Sequence, residues 1–565
     1  MAELYNISHA NELVQSKVNF FANYFDFVCK NVGILDELEL ETHTSLIDKL
    51  IFQLSNNSQS WSKKYIHSYI NHALLKSDHL IKEFQAYSQF KSLITKHKSN
   101  LVYKDILKAT KALRKELSSS YVDSILSTII SFLTCIHKLA VHRTELKYYT
   151  KLLVCEFILN GKSKNDLEDL LHKILSSDKI EFPFPTNITT DEQKDHFLSN
   201  RTFKQQFEGI KNYMYLKERT HYYLYRVGGY EVSDDFIERY NKVTFISKNH
   251  KKLKKLRNRL SKTMLAEDFL DSYPLVAYIK IPSRAIDIAS QEARNLIKSE
   301  LEYLNLVLSG DAYIEPFNFL YSPDFNRFRF NWNKKGGKNI IDEYEIVKIQ
   351  DNPYKFLRNI KLISKKRLLN LEPLAIKAFS TNSNSAFWHY LEVLIQKDAA
   401  NVINFLANIL LNEAKESKKR LIGNYIHFTF LNLNNSPSDF GIDESLYMDI
   451  RKNFYTIDFK VYKKYIKENF VHDLIGSYLH EYKKNDFTKL HEYYKSVLLE
   501  SYEQRNFYIH KANEMTKAAI KLSISMAEFT KRIRWSLFRG IREYNGLKFD
   551  TILVKLEEEG KALLS

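Results

Sequence analysis

The stretch SVLLESYEQRNFYIHKANEM, residues 496–515, carries polar and apolar side chains at helical spacing. Because each residue of an α-helix turns by about 100°, positions three, four and seven apart share a face. One face is a polar stripe made up of Glu503, Asn506, His510, Asn513 and Lys517, and the opposite face carries Val497, Tyr508, Ala512, Met515 and Ala519. The stretch predicts a long amphipathic helix near the C-terminal end of the chain, continuing through HKANEM.

Arg505 is the exception in this helix, because the same geometry places its cation beside the apolar face. An unpaired charge in an apolar environment costs several kcal/mol, so the guanidinium needs a partner. Glu392 is the best candidate, since it is a charge within the largely apolar and aromatic segment NSAFWHYLEVLIQ, residues 384–396. We therefore predict an ion pair between Arg505 and Glu392, and the alternative is that Arg505 pairs with a substrate phosphate alone.

The rest of the chain also has a residue pattern that favours helices. Its 565 residues include only 14 Gly and 9 Pro, and Leu, Ile, Lys and Glu recur at helical spacing. A chain of this length is too long for one hydrophobic core. The sequence predicts a mainly α, multi-domain protein.

Changes of pattern along the chain suggest three domains. Residues 1–265 read as an N-terminal helical region with a sensing or regulatory role, and the tyrosine-rich run before RVGGYEV (226–232) is interpreted as helical. Residues 266–350 form a small α/β segment in the middle of the chain, because YPLVAYIKIPSRAID has the alternation of a strand. Helical patterns return over 351–565 and predict a compact C-terminal helical bundle.

The charge of the chain favours a polyanionic partner. Its formal net charge is +17, and KNHKKLKKLRNRLSK, residues 248–262, concentrates basic side chains. Two interpretations stay open for this run: a solvated helix face, or a strip that contacts RNA phosphates. The candidate RNA-binding residues are Lys251, Lys252, Lys254, Lys255, Arg257 and Arg259.

The sequence lacks the motifs that are typical of several other functional classes. Three distant cysteines in apolar contexts indicate buried thiols in a reducing compartment, without metal spacing. KKGGKN at 334–339 lacks the spacing of a phosphate loop, so we expect no cofactor. The acidic cluster of Asp342, Glu343 and Glu345 with Lys348 leaves a metal-dependent nuclease as a weaker alternative to a metal-free site.

The sequence shows no membrane segment. The most apolar run, ILSTIISFLTCI at 125–136, is too short to span a bilayer and is predicted to be a core helix. The first residues lack the pattern of a signal peptide. We therefore expect a cytoplasmic protein without a membrane partner.

The pattern Arg-Asn-x-x-x-His at 505–510, within a predicted helical bundle, resembles the signature of the HEPN superfamily of ribonucleases. NSAFWHYLEVLIQ is similar to the aromatic and acidic helix that precedes this signature in large bacterial defence proteins. VAYIKIPSRAIDIASQEARNLI, residues 276–297, is similar to a strand and helix upstream of it. The resemblance covers residues 270–565 and implies a HEPN-like fold for the C-terminal bundle.

The resemblance implies a metal-independent endoribonuclease that cuts RNA by 2′-OH attack. His510 would transfer protons, Arg505 would clamp phosphoryl oxygens, and Asn506 would orient the imidazole or donate to the phosphate. Glu503 and Glu392 would be supporting residues, Glu503 as a candidate for the second proton transfer. Two such helices usually face each other in the family, which implies a homodimer through this domain.

The resemblance also suggests a biological role: an anti-phage defence (abortive infection) effector or toxin, triggered by a phage-derived molecule or a nucleotide. Two alternatives remain. One is a non-catalytic HEPN-type protein that binds RNA or nucleotides. The other is a helical protein-interaction scaffold, in which Arg505 and His510 are ordinary residues at the edge of the core.

Overall fold

The computed structural model is mainly helical and contains one antiparallel sheet. It describes these residues: 12–31, 42–55, 70, 79–96, 103–162, 167, 170–175, 182–185, 187–214, 219–229, 232–240, 242–260, 274–283, 292–294, 296–302, 305, 312–322, 327–332, 362–381, 383–396, 401–414, 418, 422, 472–473, 475–476, 487–511, 517–544 and 546–564. The chain divides into two compact units. The helical unit comprises Met1–Leu159, Leu171–Lys211 and Asp351–Ser565, and the sheet unit comprises Asn160–Leu170 and Asn212–Gln350.

The helices of the N-terminal half follow the amphipathic patterns of the sequence. Their bounds are α1 Glu12–Asn31, α2 His43–Ser55, α3 His79–Lys82, α4 Gln85–Lys96, α5 Tyr103–Thr134, α6 Leu139–Leu159, α7 Leu170–Leu175, α8 Asp191–Asn200, α9 Phe203–Met214 and α10 Lys251–Leu260. Gly161 follows α6 with φ +82°, a left-handed conformation that suits glycine at a helix end. Thr190 begins α8 with a capping box, in which its hydroxyl accepts from the Gln193 backbone N–H.

Six helices in the described C-terminal part of the chain share one apolar core, which is consistent with the predicted helical bundle. They are α11 Leu362–Thr381, α12 Asn384–Ile395, α13 (residues 401–414), α14 Thr488–Lys511, α15 Lys517–Glu543 and α16 Phe549–Ala562. Trp388, Leu410 and Leu498 are fully buried in this core. Residues 512–516, over which α14 was expected to continue, lie outside the described residues.

The sheet unit contains six antiparallel strands in the order β2-β3-β4-β1-β5-β6. Their bounds are β1 Arg219–Gly228, β2 Ile237–Tyr240, β3 Val243–Ser247, β4 Leu275–Ser283, β5 Tyr313–Ser322 and β6 Arg327–Trp332. One face of the sheet packs against a helical segment through Ala293, Ile297 and Leu301. The strands predicted within 273–332 are therefore present.

The interpretation of the tyrosine-rich run as helical was wrong, because this run is the central strand β1. His221, Tyr223, Tyr225 and Val227 are all buried at alternate positions, which is the period of a strand. Tyrosine also has a high strand propensity.

The domain boundary predicted at residue 266 differs from the division of the structure. β3 pairs with β4 in the register Val243↔Ile279, so the sheet joins residues on both sides of 266. The N-terminal and C-terminal helices belong to one helical unit rather than to separate domains. The sheet unit is thus mainly an insertion between them that begins near residue 212.

Candidate active site around Arg505

The aromatic and acidic helix α12 packs directly against α14, the helix that carries Arg505. Trp388 Nε1 donates to Ser501 Oγ at 2.7 Å, and Asn384 Nδ2 donates to the Ser501 backbone oxygen at 2.8 Å. The rings of Trp388 and Tyr502 meet edge to face with centroids 5.3 Å apart. These buried contacts fix the position of α14 one turn before Arg505.

Arg505 forms the predicted ion pair with Glu392. Its Nη2 donates to Glu392 Oε2 at 2.9 Å, and its Nη1 donates to Asn506 Oδ1 at 3.2 Å. The guanidinium also lies 5.8 Å from the centroid of the Tyr502 ring. The two side chains of the pair are 20% and 28% exposed, so the pair is partly screened from water without being sealed from it.

Glu503 is a partly buried carboxylate on the same helix. Burial raises the pKa of its carboxyl to about 7, and the neighbouring charge of Glu500 adds to that rise, whereas a hydrogen bond from Gln53 opposes it. Gln53 Nε2 donates to Glu503 Oε2 at 3.1 Å. The other oxygen, Oε1, is buried and has no hydrogen-bond partner among the residues that the structure describes. Glu503 can therefore hold or release a proton near neutral pH.

Helix α2 supplies the partners of these carboxylates. Lys49 Nζ lies 2.7 Å from Glu500 Oε2, and both side chains are more than nine-tenths buried. On the same helix, Asp48 accepts from Arg114 Nε of α5 at 2.6 Å. An N-terminal helix thus connects α5 with the helix that carries Arg505.

The predicted site residues are only partly brought together. Arg505, Asn506 and Glu392 are in contact, and Glu503 lies on the same helix with partners on α2. The backbone of His510 lies in α14, but its side chain lies outside the described residues. The basic run forms α10 in the sheet unit. Lys251, Lys252, Lys254 and Lys255 are exposed, whereas the side chains of Arg257 and Arg259 lie outside the described residues.

Sequence reasoning missed the contacts made by α2. Lys49 and Gln53 are one turn apart on α2, and Glu500 and Glu503 are one turn apart on α14. This match of spacings becomes visible only once the two helices are known to pack together, so no signal in the sequence could have found it.

The alternative metal site predicted at 342–348 lies outside the described residues. Within the described part of the chain, no three His, Cys, Asp or Glu side chains are grouped as metal ligands. No described helix combines the length and apolarity needed to cross a bilayer. Comparison with family models, with curated proteins and with solved structures gives no match to the chain.

Proposed function

We propose that the chain is an endoribonuclease that cuts RNA without a metal ion, by attack of a ribose 2′-OH on the adjacent phosphate. The observation that supports this most strongly is the contact of Arg505 with both Glu392 and Asn506 on a helix with the Arg-Asn-x-x-x-His pattern. A partly exposed guanidinium, held in place by two hydrogen bonds, suits the stabilisation of charge on a phosphoryl group.

Arg505 can bind phosphate while it remains paired. A guanidinium has five N–H donors, and the bonds to Glu392 and Asn506 use one hydrogen on each terminal nitrogen. The second hydrogen on each of these nitrogens can donate to two phosphoryl oxygens. Because Asn506 Oδ1 accepts from Arg505, its Nδ2 is the group that donates to the substrate.

The reaction also needs two proton transfers, from the 2′-OH and to the leaving 5′-oxygen. His510 supplies one, since an imidazole titrates near neutral pH. The second comes from Glu503, whose carboxyl has a pKa of about 7, or from the facing helix of a homodimer. The products are a 2′,3′-cyclic phosphate and a 5′-hydroxyl.

The N-terminal helices would control this activity in an anti-phage defence effector or toxin. α2 holds Glu500 and Glu503 through Lys49 and Gln53, so a displacement of α2 would change the environment of both carboxylates. A phage-derived or nucleotide trigger that moves the N-terminal helices would thus act on the nuclease helix directly.

The test is product analysis with end-labelled RNA in excess EDTA. We expect cleavage to persist, fragments to carry 2′,3′-cyclic phosphate ends, and an all-DNA strand of the same sequence to stay intact. Loss of cleavage in EDTA with recovery in Mg²⁺ would overturn the proposal and favour the acidic residues at 342–348.

One observation favours the non-catalytic alternatives. The charge of Arg505 is already balanced within the fold by Glu392, as expected for a structural arginine in a scaffold or a binding protein. Such a protein would leave labelled RNA uncut under every condition of the same assay, and RNA binding without cutting would then separate a binding protein from a scaffold.

A further inference from the structure

His389 lies on α12 beside the carboxylate that holds Arg505. Residues three apart on an α-helix are neighbours on its surface, with Cβ atoms about 5–6 Å apart, and His389 precedes Glu392 by three positions. Long helical side chains lean toward the N-terminal end of their helix, so that of Glu392 extends over the turn that contains His389. Because Glu392 Oε2 accepts from Arg505 Nη2 at 2.9 Å, the imidazole lies within one helical turn of the ion pair.

The contacts between α12 and α14 place the guanidinium at the same height along α12 as His389. The Arg505 guanidinium lies 5.8 Å from the centroid of the Tyr502 ring, and the Tyr502 and Trp388 ring centroids are 5.3 Å apart. Trp388 directly precedes His389 in the sequence. This turn of α12 therefore carries Trp388 in the interface with α14 and His389 at the edge of that interface.

The side chain of His389 is open to solvent. His389 is exposed, whereas its neighbours Trp388 and Tyr390 are buried. Within the described part of the chain, no residue forms a hydrogen bond or an ion pair with its imidazole. Replacing an exposed side chain of this kind usually changes stability little. Both ring nitrogens are thus free to contact a substrate.

A phosphate that binds Arg505 comes within reach of this imidazole. The side chains of Arg505 and Glu392 are 20% and 28% exposed, so a substrate can approach the guanidinium from solvent. The Nη2 atom that bonds to Glu392 keeps a second hydrogen for a phosphoryl oxygen. That oxygen then lies beside Glu392, on the part of α12 that carries His389.

We propose that His389 is a further catalytic residue and provides the second proton transfer of RNA cleavage. This inference rests on the proposed nuclease activity. As the 2′-oxygen forms its bond to phosphorus, its proton passes to one imidazole, that of His510 or of His389. As the bond from phosphorus to the 5′-oxygen breaks, the other imidazole donates a proton to that oxygen. Exchange with water then restores both rings.

His389 takes the place of Glu503 and of a facing helix as the source of this second transfer. An imidazole titrates near neutral pH, so it can serve as the acid or as the base of the reaction. His389 also belongs to the same chain as Arg505. Proton transfer therefore needs no group from a second subunit.

The pH dependence of kcat/KM for end-labelled RNA in excess EDTA tests this assignment. One acid and one base give the parent a bell-shaped profile, with one limb from each group. We expect His389→Ala to lower kcat/KM at the optimum by about 10²- to 10⁴-fold and to lose one limb. Loss of the acid limb identifies His389 as the base, and loss of the alkaline limb identifies it as the acid.

Two further variants complete the experiment. His389→Gln keeps a polar side chain of similar size without an ionisable ring, so it should show the same loss and decides the result if His389→Ala fails to fold. His196→Ala, an exposed histidine on α8, is the matched control and should keep the parental profile. All three variants should melt at the parental temperature, because both positions are exposed.

The assignment is overturned if the His389 variants cut RNA at the parental rate, or if they cut more slowly with both limbs of the profile intact. It is also overturned if Glu503→Gln loses a limb that the His389 variants retain. An active parent with unaffected His389 variants removes only the role of His389. If the parent cuts no RNA at any pH, the proposed function itself fails and the assignment fails with it.

Discussion

At the scale of single residues, substitutions of Arg505 and Glu392 test whether their ion pair has a function beyond stability. Arg505→Ala leaves a partly buried carboxylate without its cation, so we expect the free energy of unfolding to fall by about 1–3 kcal/mol. Glu392→Gln should cost less, because the amide oxygen still accepts from the guanidinium. Both variants should lose RNA cleavage. Urea denaturation and a cleavage assay measure the two effects.

The chain offers a matched control for this pair. Arg534 Nη2 lies 3.1 Å from Glu372 Oε2, and the side chains are 21% and 30% exposed, close to the values for Arg505 and Glu392. Arg534→Ala should therefore lower stability by a similar amount and leave cleavage intact. Strictly additive losses in a double-mutant cycle of Arg505 and Glu392 would argue against a functional pair.

Glu503 gives stability a specific dependence on pH. Its folded-state pKa, about 7, lies above the ordinary carboxyl value, so the folded state binds the proton more tightly than the unfolded state. The contribution to stability is therefore favourable below that ordinary value and is lost as pH rises through about 7. Glu503→Gln should differ little from the parent at pH 5 and be more stable by about 1–3 kcal/mol at pH 8.

Denaturant titrations at the two pH values measure this difference. The charge that acts on Glu503 is that of Glu500 on the same helix, and the ion pair of Glu500 with Lys49 of α2 stays intact in the variant. An equal stability difference at pH 5 and pH 8 would contradict a raised pKa for Glu503.

At the scale of elements, the docking of α2 on α14 depends on a buried ion pair. Lys49→Met leaves Glu500 buried without its cation, and breaking such a pair costs about 3–5 kcal/mol. Replacing both residues, Lys49→Met with Glu500→Leu, should restore much of that stability, since apolar side chains can fill the same space. Equal stability of the single and double variants, measured by urea denaturation, would show that the pair does not dock α2.

The sequence predicted the positions of helices and strands better than it predicted which of them pack together. Amphipathic spacing identified α14 because a helix with one buried face shows its period directly. The strand β1 was missed, although tyrosine favours strands, because its pairing partners β4 and β5 are not evident from the run itself.

A contact in the site was predictable only where each of its residues is unusual for its own helix face. Arg505 and Glu392 could be paired because each is a charge on an apolar helix face, and such exceptions are visible along the chain. Lys49 and Glu500 are separated by 451 positions, and Glu500 lies on a helix with many other charges, so nothing in the sequence singles out their contact.

At the scale of the whole molecule, the division into two units predicts separate unfolding transitions. Ile279 is fully buried in β4, and Ile279→Ala should destabilise the sheet unit by about 2–5 kcal/mol. Lys49→Met should act on the helical unit. Calorimetry of the full-length chain should show each variant shifting a different transition, whereas a shift of one common transition would mean that the units unfold together.

The cleavage rate of labelled RNA in excess EDTA, compared between the parent and His510→Ala, tests whether the protein cuts RNA without a metal ion and with His510 as a proton-transfer group. We predict a loss of about 10²- to 10⁴-fold, the usual effect of removing a general acid or base, with an unchanged melting temperature. His196→Ala, an exposed histidine on α8, is the control and should cut at the parental rate. An unchanged rate in His510→Ala, or a loss of activity that accompanies a large drop in its melting temperature, would contradict a catalytic role for this residue.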